Sequence, residues 1–189
     1  MKWALGQTAF GVVLACATIL VPAQAKMTES AGTGVAIALP VVAGGITLLK
    51  NDREGSFQLA VTTALTVGTA YGLKHLIHEC RPFAKPCGPG SNNWDSFPSD
   101  TAALAFAPAQ FLWQRYGWEY GVPAYAAAGF VAWSRVDAKK HNWGDVAASA
   151  GISLLYNELL TTRFRKHSGL STNLQAGPHE VYGSVNYSW

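Results

Sequence analysis

Residues 134–145 read SRVDAKKHNWGD, and this stretch joins two apolar segments of the chain. Ser134-Arg135 is followed after five residues by His141, and Asp145 lies four residues beyond His141. Because four residues make about one helical turn, the Asp145 carboxylate can fix the tautomer of His141 and raise its basicity. A histidine supported in this way can act as a nucleophile or a base, and the nearby Arg135 can bind an anion.

Two further polar clusters precede this stretch, each where an apolar segment meets a loop. In the first, Lys74 is followed after six residues by Arg81-Pro82, and in the second, residues 97–101 read FPSDT. Two arginines and a lysine can surround the oxygens of a phosphate, while Ser99 and the backbone N–H groups that open the next helix add neutral donors. The residue types therefore indicate a phosphate site.

Each of these residues also has a purely structural interpretation. Lys74 and Arg81 can be charges at helix ends, Arg135 can anchor the topology, and His141 can cap a loop. The combination of three clusters at fixed spacing is what favours a functional site.

The composition restricts the class of protein. Of 189 residues, 49% are apolar and 13% charged, which excludes a disordered chain. The 14 basic and 11 acidic residues leave a net charge of +3, too small for a nucleic-acid-binding surface, and three cysteines are too few for a disulfide scaffold. A membrane-embedded helical protein or a compact secreted enzyme remains.

Apolar segments without strand alternation predict an all-α bundle. Their glycines suit closely packed membrane helices, although several segments are shorter than the roughly 20 residues that a span needs. The segments are 35–49, 57–77, 101–113, 120–133 and 146–160.

The N-terminus predicts export across a bacterial inner membrane. Lys2, an apolar run over 3–21 and Ala23-Gln24-Ala25 describe a signal peptide cleaved after Ala25. The alternative is an uncleaved first transmembrane helix, which gives six helices instead of five. If the chain enters the periplasm around residues 26–33, all three polar clusters fall on the periplasmic side.

The three clusters together resemble the tripartite signature of the type 2 phosphatidic acid phosphatase superfamily, which also includes bacterial acid phosphatases and vanadium haloperoxidases. The resemblance covers about residues 70–150. Membrane members of that superfamily have six helices. The resemblance implies that His141 attacks phosphorus and forms a phosphohistidine, that Asp145 orients it, and that no metal or other cofactor is required. It also implies that the phosphoryl oxygens are bound by Lys74, Arg81, Ser99 and Arg135.

One motif departs from the family pattern, which is usually Pro-Ser-Gly-His with the histidine protonating the leaving group. Here Asp100 and Thr101 replace the glycine and the histidine, and threonine cannot act as a general acid near neutral pH. Three alternatives stay open. Asp100 donates the proton, the substrate is a diphosphate whose leaving group needs less help, or the protein is mainly a binder.

Cys80 and Cys87 flank Arg81-Pro82 and are the only cysteines left after cleavage. In an oxidising periplasm they can form a short disulfide that tethers the loop presenting Arg81, and the alternative is two free thiols.

The tail has a different pattern, since Val181, Gly183, Val185, Tyr187 and Trp189 alternate with polar or aromatic residues. This period of two, after a turn at Gly177-Pro178, predicts a short β-hairpin with 171–176 as its partner strand.

The sequence thus predicts a signal peptide or first transmembrane helix over 1–25, a helical phosphatase domain over 26–168 and a tail over 169–189. The expected function is removal of phosphate from a membrane lipid phosphate or diphosphate, with the site facing the periplasm. The partners are the lipid substrate and the bilayer, with no nucleic acid, and the oligomeric state stays open. The alternatives are a soluble periplasmic acid phosphatase for small phosphomonoesters and a non-catalytic phosphate-lipid binder.

Overall fold

Five helices form a bundle in the computed structural model, which describes residues 4–88, 90–164, 170–176 and 181–187. A short 3-10 turn, Pro82–Ala84, lies in the long loop between the second and third helices. In chain order the helices are α1 (Ala4–Leu49), α2 (Arg53–Ile77), α3 (Asp100–Tyr116), α4 (Trp118–Asp137) and α5 (Trp143–Leu160).

Each predicted apolar segment lies inside one of these helices, so the all-α prediction is confirmed. Helix α1 runs through residues 26–33 as one continuous helix. Within this stretch the Thr33 hydroxyl donates to the Glu29 carbonyl 3.0 Å away, and Gly32 packs closely against α4. The described chain therefore has five helices and not six.

Helix α3 lies at the centre of the bundle and contacts each of the other four helices. Its buried apolar side chains are mainly alanines, which let the neighbouring backbones approach closely. They include Ala102, Ala103, Ala105, Ala107, Ala109, Phe111 and Leu112.

Large apolar side chains, by contrast, are exposed on the outside of the bundle. In a protein surrounded by water such groups are mostly buried, and an extended apolar surface marks contact with a membrane or a partner. The exposed set includes Ile37, Val41, Leu48, Phe57, Leu65, Leu76, Val122, Phe130, Leu154, Leu155 and Leu159.

By length and composition, one helical stretch within the described part of the chain is able to cross a membrane. It is Lys26–Leu49, which has 24 residues and a mean hydropathy of 1.9. A signal sequence or the core helix of a soluble protein meets the same criterion, so this stretch is weak evidence by itself.

A buried ion pair joins the helix ends on one side of the bundle. Asp52, in the turn between α1 and α2, accepts hydrogen bonds from Nε and Nη2 of Arg115 at 2.8 and 2.6 Å. The Gly55 N–H and the Tyr116 hydroxyl complete the carboxylate's partners, each at 2.8 Å. Nη1 of Arg115 also donates to the Thr162 carbonyl after α5. This network ties α1, α2, α3 and the end of α5 together.

The tail of the chain contains two strands. They are β1 (Leu170–Ala176) and β2 (Val181–Tyr187), which pair antiparallel with Leu170 opposite Tyr187. The predicted turn at Gly177-Pro178 and the final Trp189 lie outside the described residues.

Candidate active site

The three polar clusters meet at the end of the bundle opposite Asp52, where α2 and α4 end and α3 and α5 begin. Two backbone hydrogen bonds join the loops that carry them. The Phe83 N–H donates to the Lys139 carbonyl at 3.0 Å, and the Ser99 N–H donates to the Asp145 carbonyl at 3.3 Å. The fold therefore brings together all the residues that the sequence assigned to one site.

His141 is buried at the centre of this end, and its surroundings fix its tautomer. Its Nδ1 lies 2.7 Å from the backbone carbonyl oxygen of Ser96. Because a carbonyl can only accept a hydrogen bond, Nδ1 carries the proton and the neutral ring keeps its lone pair on Nε2. Nε2 of His141 is thus available as a nucleophile.

Asp145 lies close to His141 but is not its nearest partner. Its Oδ2 is 3.5 Å from Nδ1 of His141, whereas it accepts the Ser96 hydroxyl at 2.5 Å and the Asn142 N–H at 2.8 Å. Burial by itself would raise the pKa of the Asp145 carboxyl, but its interactions with His141, Ser96 and Asn142 outweigh burial and lower that pKa. Asp145 is therefore held as a carboxylate by His141, Ser96 and Asn142.

Ser96 is a site residue that the sequence analysis missed. It precedes the FPSDT motif by one residue, and no spacing rule singles out a serine in a loop. The one signal that could have found Ser96 is its position directly beside a motif that carries chemistry.

Lys74 and Asp100 form an ion pair across the first two clusters. Lys74 is buried, and Oδ1 of Asp100 is buried without a hydrogen-bond partner among the described residues. The ion pair requires the carboxylate form, whereas a proton donor must first carry the proton, and a neutral Asp100 would lack the charge that pairs with Lys74. Asp100 as a proton donor stays a prediction.

Arg81 is oriented by Asp95, a second residue that the sequence analysis missed. Nε and Nη2 of Arg81 each donate to a different Asp95 oxygen at 2.7 Å, a bidentate arrangement. The hydrogen bond from Arg81 is the main cause that lowers the pKa of Asp95, and the same bond raises the pKa of Arg81. The guanidinium is thus held in one plane, with Nη1 left for another anion.

Replacing Asp95 with asparagine is expected to lower kcat/KM for a phosphate substrate about tenfold, because one charged hydrogen bond to Arg81 is lost. The effect stays moderate because Asp95 is partly exposed. Steady-state kinetics on the purified variant measure this. Asp137→Asn removes an exposed carboxylate at the same end of the bundle and is the matched control. Equal kinetics for the two variants would reject the orienting role of Asp95.

Arg135 is buried at the end of α4, and α1 holds it there. Its Nη2 donates to the Glu29 carbonyl, and the Glu29 carboxylate pairs with Lys140. Burial is the main cause that lowers the pKa of Arg135, and the nearby charge of Arg81 acts in the same direction, against that of Glu29. Two of the predicted phosphate ligands, Arg81 and Arg135, therefore lie close enough to repel each other.

A glycine allows α1 to approach this arginine. A Cβ on Gly32 would lie 1.9 Å from Oγ of Ser134, the residue next to Arg135. Gly32→Ala is therefore expected to destabilise the protein by about 1–3 kcal/mol, measured by thermal unfolding in detergent. Gly34→Ala on the same helix is the control, since nothing lies within 4 Å of its added Cβ. A Gly32→Ala protein as stable as Gly34→Ala would contradict this packing.

Ser99 caps α3, and its Oγ accepts the Ala102 N–H at 3.4 Å. Its hydroxyl proton is not used by this bond, so it can donate to an anion beside the positive end of the helix dipole.

Nearby, Cys80 and Cys87 form a disulfide with their Cα atoms 6.0 Å apart, which closes the loop containing Arg81.

Comparisons with known proteins show which family and which structures this chain resembles. The family model described as the PAP2 superfamily matches residues 55–167. The lipid A 4'-phosphatase of Helicobacter pylori strain J99 is 35% identical over 134 residues, which are 67% of this chain and 66% of that protein. The chain thus spans just under two thirds of the length of that relative.

Two solved structures have a similar fold. The transmembrane PAP2-type phosphatidylglycerolphosphate phosphatase of Bacillus subtilis gives a TM-score of 0.53 at 20% identity, covering 85% of this chain and 94% of its own. Aquifex aeolicus LpxE gives 0.50 at 18% identity, covering 72% and 91%. At these identities the likeness concerns the fold alone.

Proposed function

The chain belongs to the PAP2 superfamily, and from this premise we propose that it is a phosphatase that removes phosphate from a membrane lipid phosphate or diphosphate through a phosphohistidine on His141. The observation that carries the proposal is the hydrogen bond from Nδ1 of His141 to the Ser96 carbonyl, which leaves the Nε2 lone pair free at the same end of the bundle as the basic side chains of the other motifs.

The reaction has two displacements at phosphorus. Nε2 of His141 forms a bond to phosphorus as the bond from phosphorus to the leaving-group oxygen breaks, and that oxygen takes up a proton from Asp100 or from water. Water then attacks the phosphohistidine, breaks the bond between nitrogen and phosphorus, and releases inorganic phosphate. Lys74, Arg81 and Arg135 stabilise the charge on the equatorial oxygens in both steps, and the Ser99 hydroxyl adds a neutral donor.

A lipid substrate is supported by the surface of the bundle. Large apolar side chains point outward while alanines, serines and threonines are buried, the distribution expected of helices surrounded by lipid. A phosphate carried by a membrane lipid then reaches the site from the bilayer. The H. pylori relative makes lipid A phosphates the first substrates to test, followed by phosphatidate, phosphatidylglycerol phosphate and polyprenyl diphosphates.

The proposed location is the bacterial inner membrane, with the site facing the periplasm. The disulfide between Cys80 and Cys87 supports an oxidising compartment, because disulfides rarely persist in the cytosol. Residues 1–25 act as a cleaved signal or as the start of the first membrane helix. A protein that leaves the membrane fraction without detergent would favour the soluble acid phosphatase alternative.

Phosphate release from a panel of substrates tests the function. Purified protein in detergent is incubated with each lipid phosphate and diphosphate and with an aryl phosphate, alongside His141→Gln. We expect release from at least one lipid and none from the variant. If no substrate releases phosphate, or if His141→Gln is equally active, the protein is not a histidine phosphatase.

A second candidate function, a phosphate-lipid binder, is favoured by one observation: position 101 holds threonine where the family pattern has histidine, and Asp100 is engaged with Lys74. Thr101→His restores a possible acid near that position. If the natural chain is inactive and Thr101→His hydrolyses a lipid phosphate, the natural protein is a binder.

A further inference from the structure

Ser96 uses every polar group it has inside the site. Its N–H donates to the Glu79 carbonyl at 2.9 Å, its carbonyl accepts from Nδ1 of His141 at 2.7 Å, and its hydroxyl donates to Oδ2 of Asp145 at 2.5 Å. The residue is completely buried. The side chain and backbone of Ser96 thus connect the end of α2 to two residues of the third cluster, His141 and Asp145.

The direct path between His141 and Asp145 is longer. At 3.5 Å, Oδ2 of Asp145 is beyond a normal N–H···O hydrogen bond to Nδ1, whereas the Ser96 carbonyl is at the usual distance. Oδ2 is already occupied by the Ser96 hydroxyl and the Asn142 N–H. The carboxylate therefore reaches the imidazole mainly through Ser96.

We propose that Ser96 is a positioning residue through which Asp145 acts on His141: its hydroxyl is anchored on the carboxylate, and its carbonyl holds the Nδ1–H of the imidazole so that Nε2 faces the phosphate. The expected effect of Ser96 on kcat rests on the proposed function, whereas its expected effect on the tautomer of His141 does not. Ser96 would be a serine with a defined task that lies outside the three motifs.

Removing the hydroxyl has a predictable effect. Ser96→Ala keeps the carbonyl but releases it from Asp145, and the carboxylate then competes for Nδ1–H. A hydrogen bond to a charged group is worth about 10- to 100-fold in an equilibrium or a rate. We expect kcat to fall by that factor with KM changed less than about twofold, because the phosphate ligands are untouched.

Two further variants separate positioning from packing. Ser96→Thr keeps a hydroxyl and is expected to recover most of the kcat lost in Ser96→Ala. Ser153→Ala removes an equally buried hydroxyl that bonds only to the Ser149 carbonyl, and it is expected to keep the activity of the natural protein. If Ser153→Ala lowers kcat as much as Ser96→Ala, the effect is general destabilisation and the proposal fails.

A double-mutant cycle tests whether the two residues act in series. Asp145→Asn and Ser96→Ala are measured singly and together. If Asp145 works through Ser96, the double variant is about as slow as the slower single variant. Fold-losses that simply multiply would show independent action and would overturn the proposal.

The tautomer of His141 gives a readout that does not need activity. The natural protein labelled with ¹⁵N-histidine has five histidines, and His141→Gln identifies the signal of interest. We expect a neutral ring protonated at Nδ1, with that preference reduced in Ser96→Ala and unchanged in Ser153→Ala. A ring protonated at Nε2 in the natural protein rejects the inference. If no substrate is hydrolysed but the tautomer behaves as expected, only the proposed function fails.

Discussion

Replacing His141 with glutamine is expected to abolish phosphate release, lowering kcat by roughly 10³- to 10⁶-fold. The side chain is the nucleophile of the proposed reaction, and no neighbouring group can take its place. Glutamine keeps a polar group of similar size in the buried position, so the surrounding loops should keep their arrangement. The measurement is kcat on the best substrate of the panel.

A covalent label and a control make this result specific. The natural protein, quenched during turnover of a ³²P-labelled substrate, should carry an acid-labile, alkali-stable phosphate that is missing in His141→Gln. His75→Gln is the matched control, because His75 is exposed at the end of α2 and makes an edge-to-face contact with Tyr71. A labelled His141→Gln protein would place the nucleophile elsewhere.

The largest expected effect on stability comes from Asp52→Asn at the other end of the bundle. Asp52 and Arg115 are both buried, and the asparagine would leave the guanidinium without its counter-charge. Breaking one side of a buried pair costs about 3–5 kcal/mol. Thermal or denaturant unfolding in detergent measures the loss.

Two comparisons isolate the buried charge. Glu54→Gln removes a carboxylate that lies 3.8 Å from the same Nη2 but is largely exposed, and it is expected to cost less than about 1 kcal/mol. Asp52→Asn combined with Arg115→Met removes both charges and should recover part of the loss. If Asp52→Asn is no less stable than Glu54→Gln, the network does not hold the helix ends.

The same pair predicts how stability depends on pH. Burial would raise the pKa of Asp52, but hydrogen bonds from Arg115, Gly55 and Tyr116 together lower it below its ordinary value of 3.8. The stabilisation is therefore complete above about pH 4–5 and is lost as the pH falls through the lowered pKa. The stability difference between the natural protein and Asp52→Asn should shrink over that acidic range.

Much of the fold could be read from the sequence because helix formation depends on neighbours along the chain. The five apolar segments predicted the five helices. The long loop with its candidate site residues lies between α2 and α3, as the second and third segments indicate. The continuity of α1 could not be predicted in this way. Residues 26–33 are polar and small, and they lie in a helix where Gly32 fits against Ser134.

The position of the candidate site could be predicted from the sequence, but its supporting contacts could not. The spacing of Lys74, Arg81, His141 and Asp145 was enough to propose a phosphate site, and the structure brings these residues to one end of the bundle. Asp95 and Ser96 were missed, since their residue types are common in loops and no helical period links them to their partners.

The sequence by itself determined the helices and the family and was enough to propose the site residues, because apolar runs and short spacings act through neighbouring residues. Only the tertiary structure decided what each of these residues touches. Ser96 meets His141 across 45 positions of the chain, and Glu29 meets Arg135 across 106. Such contacts form when separate helices pack together, and no local pattern in the sequence encodes which loop atom will then lie within hydrogen-bond distance.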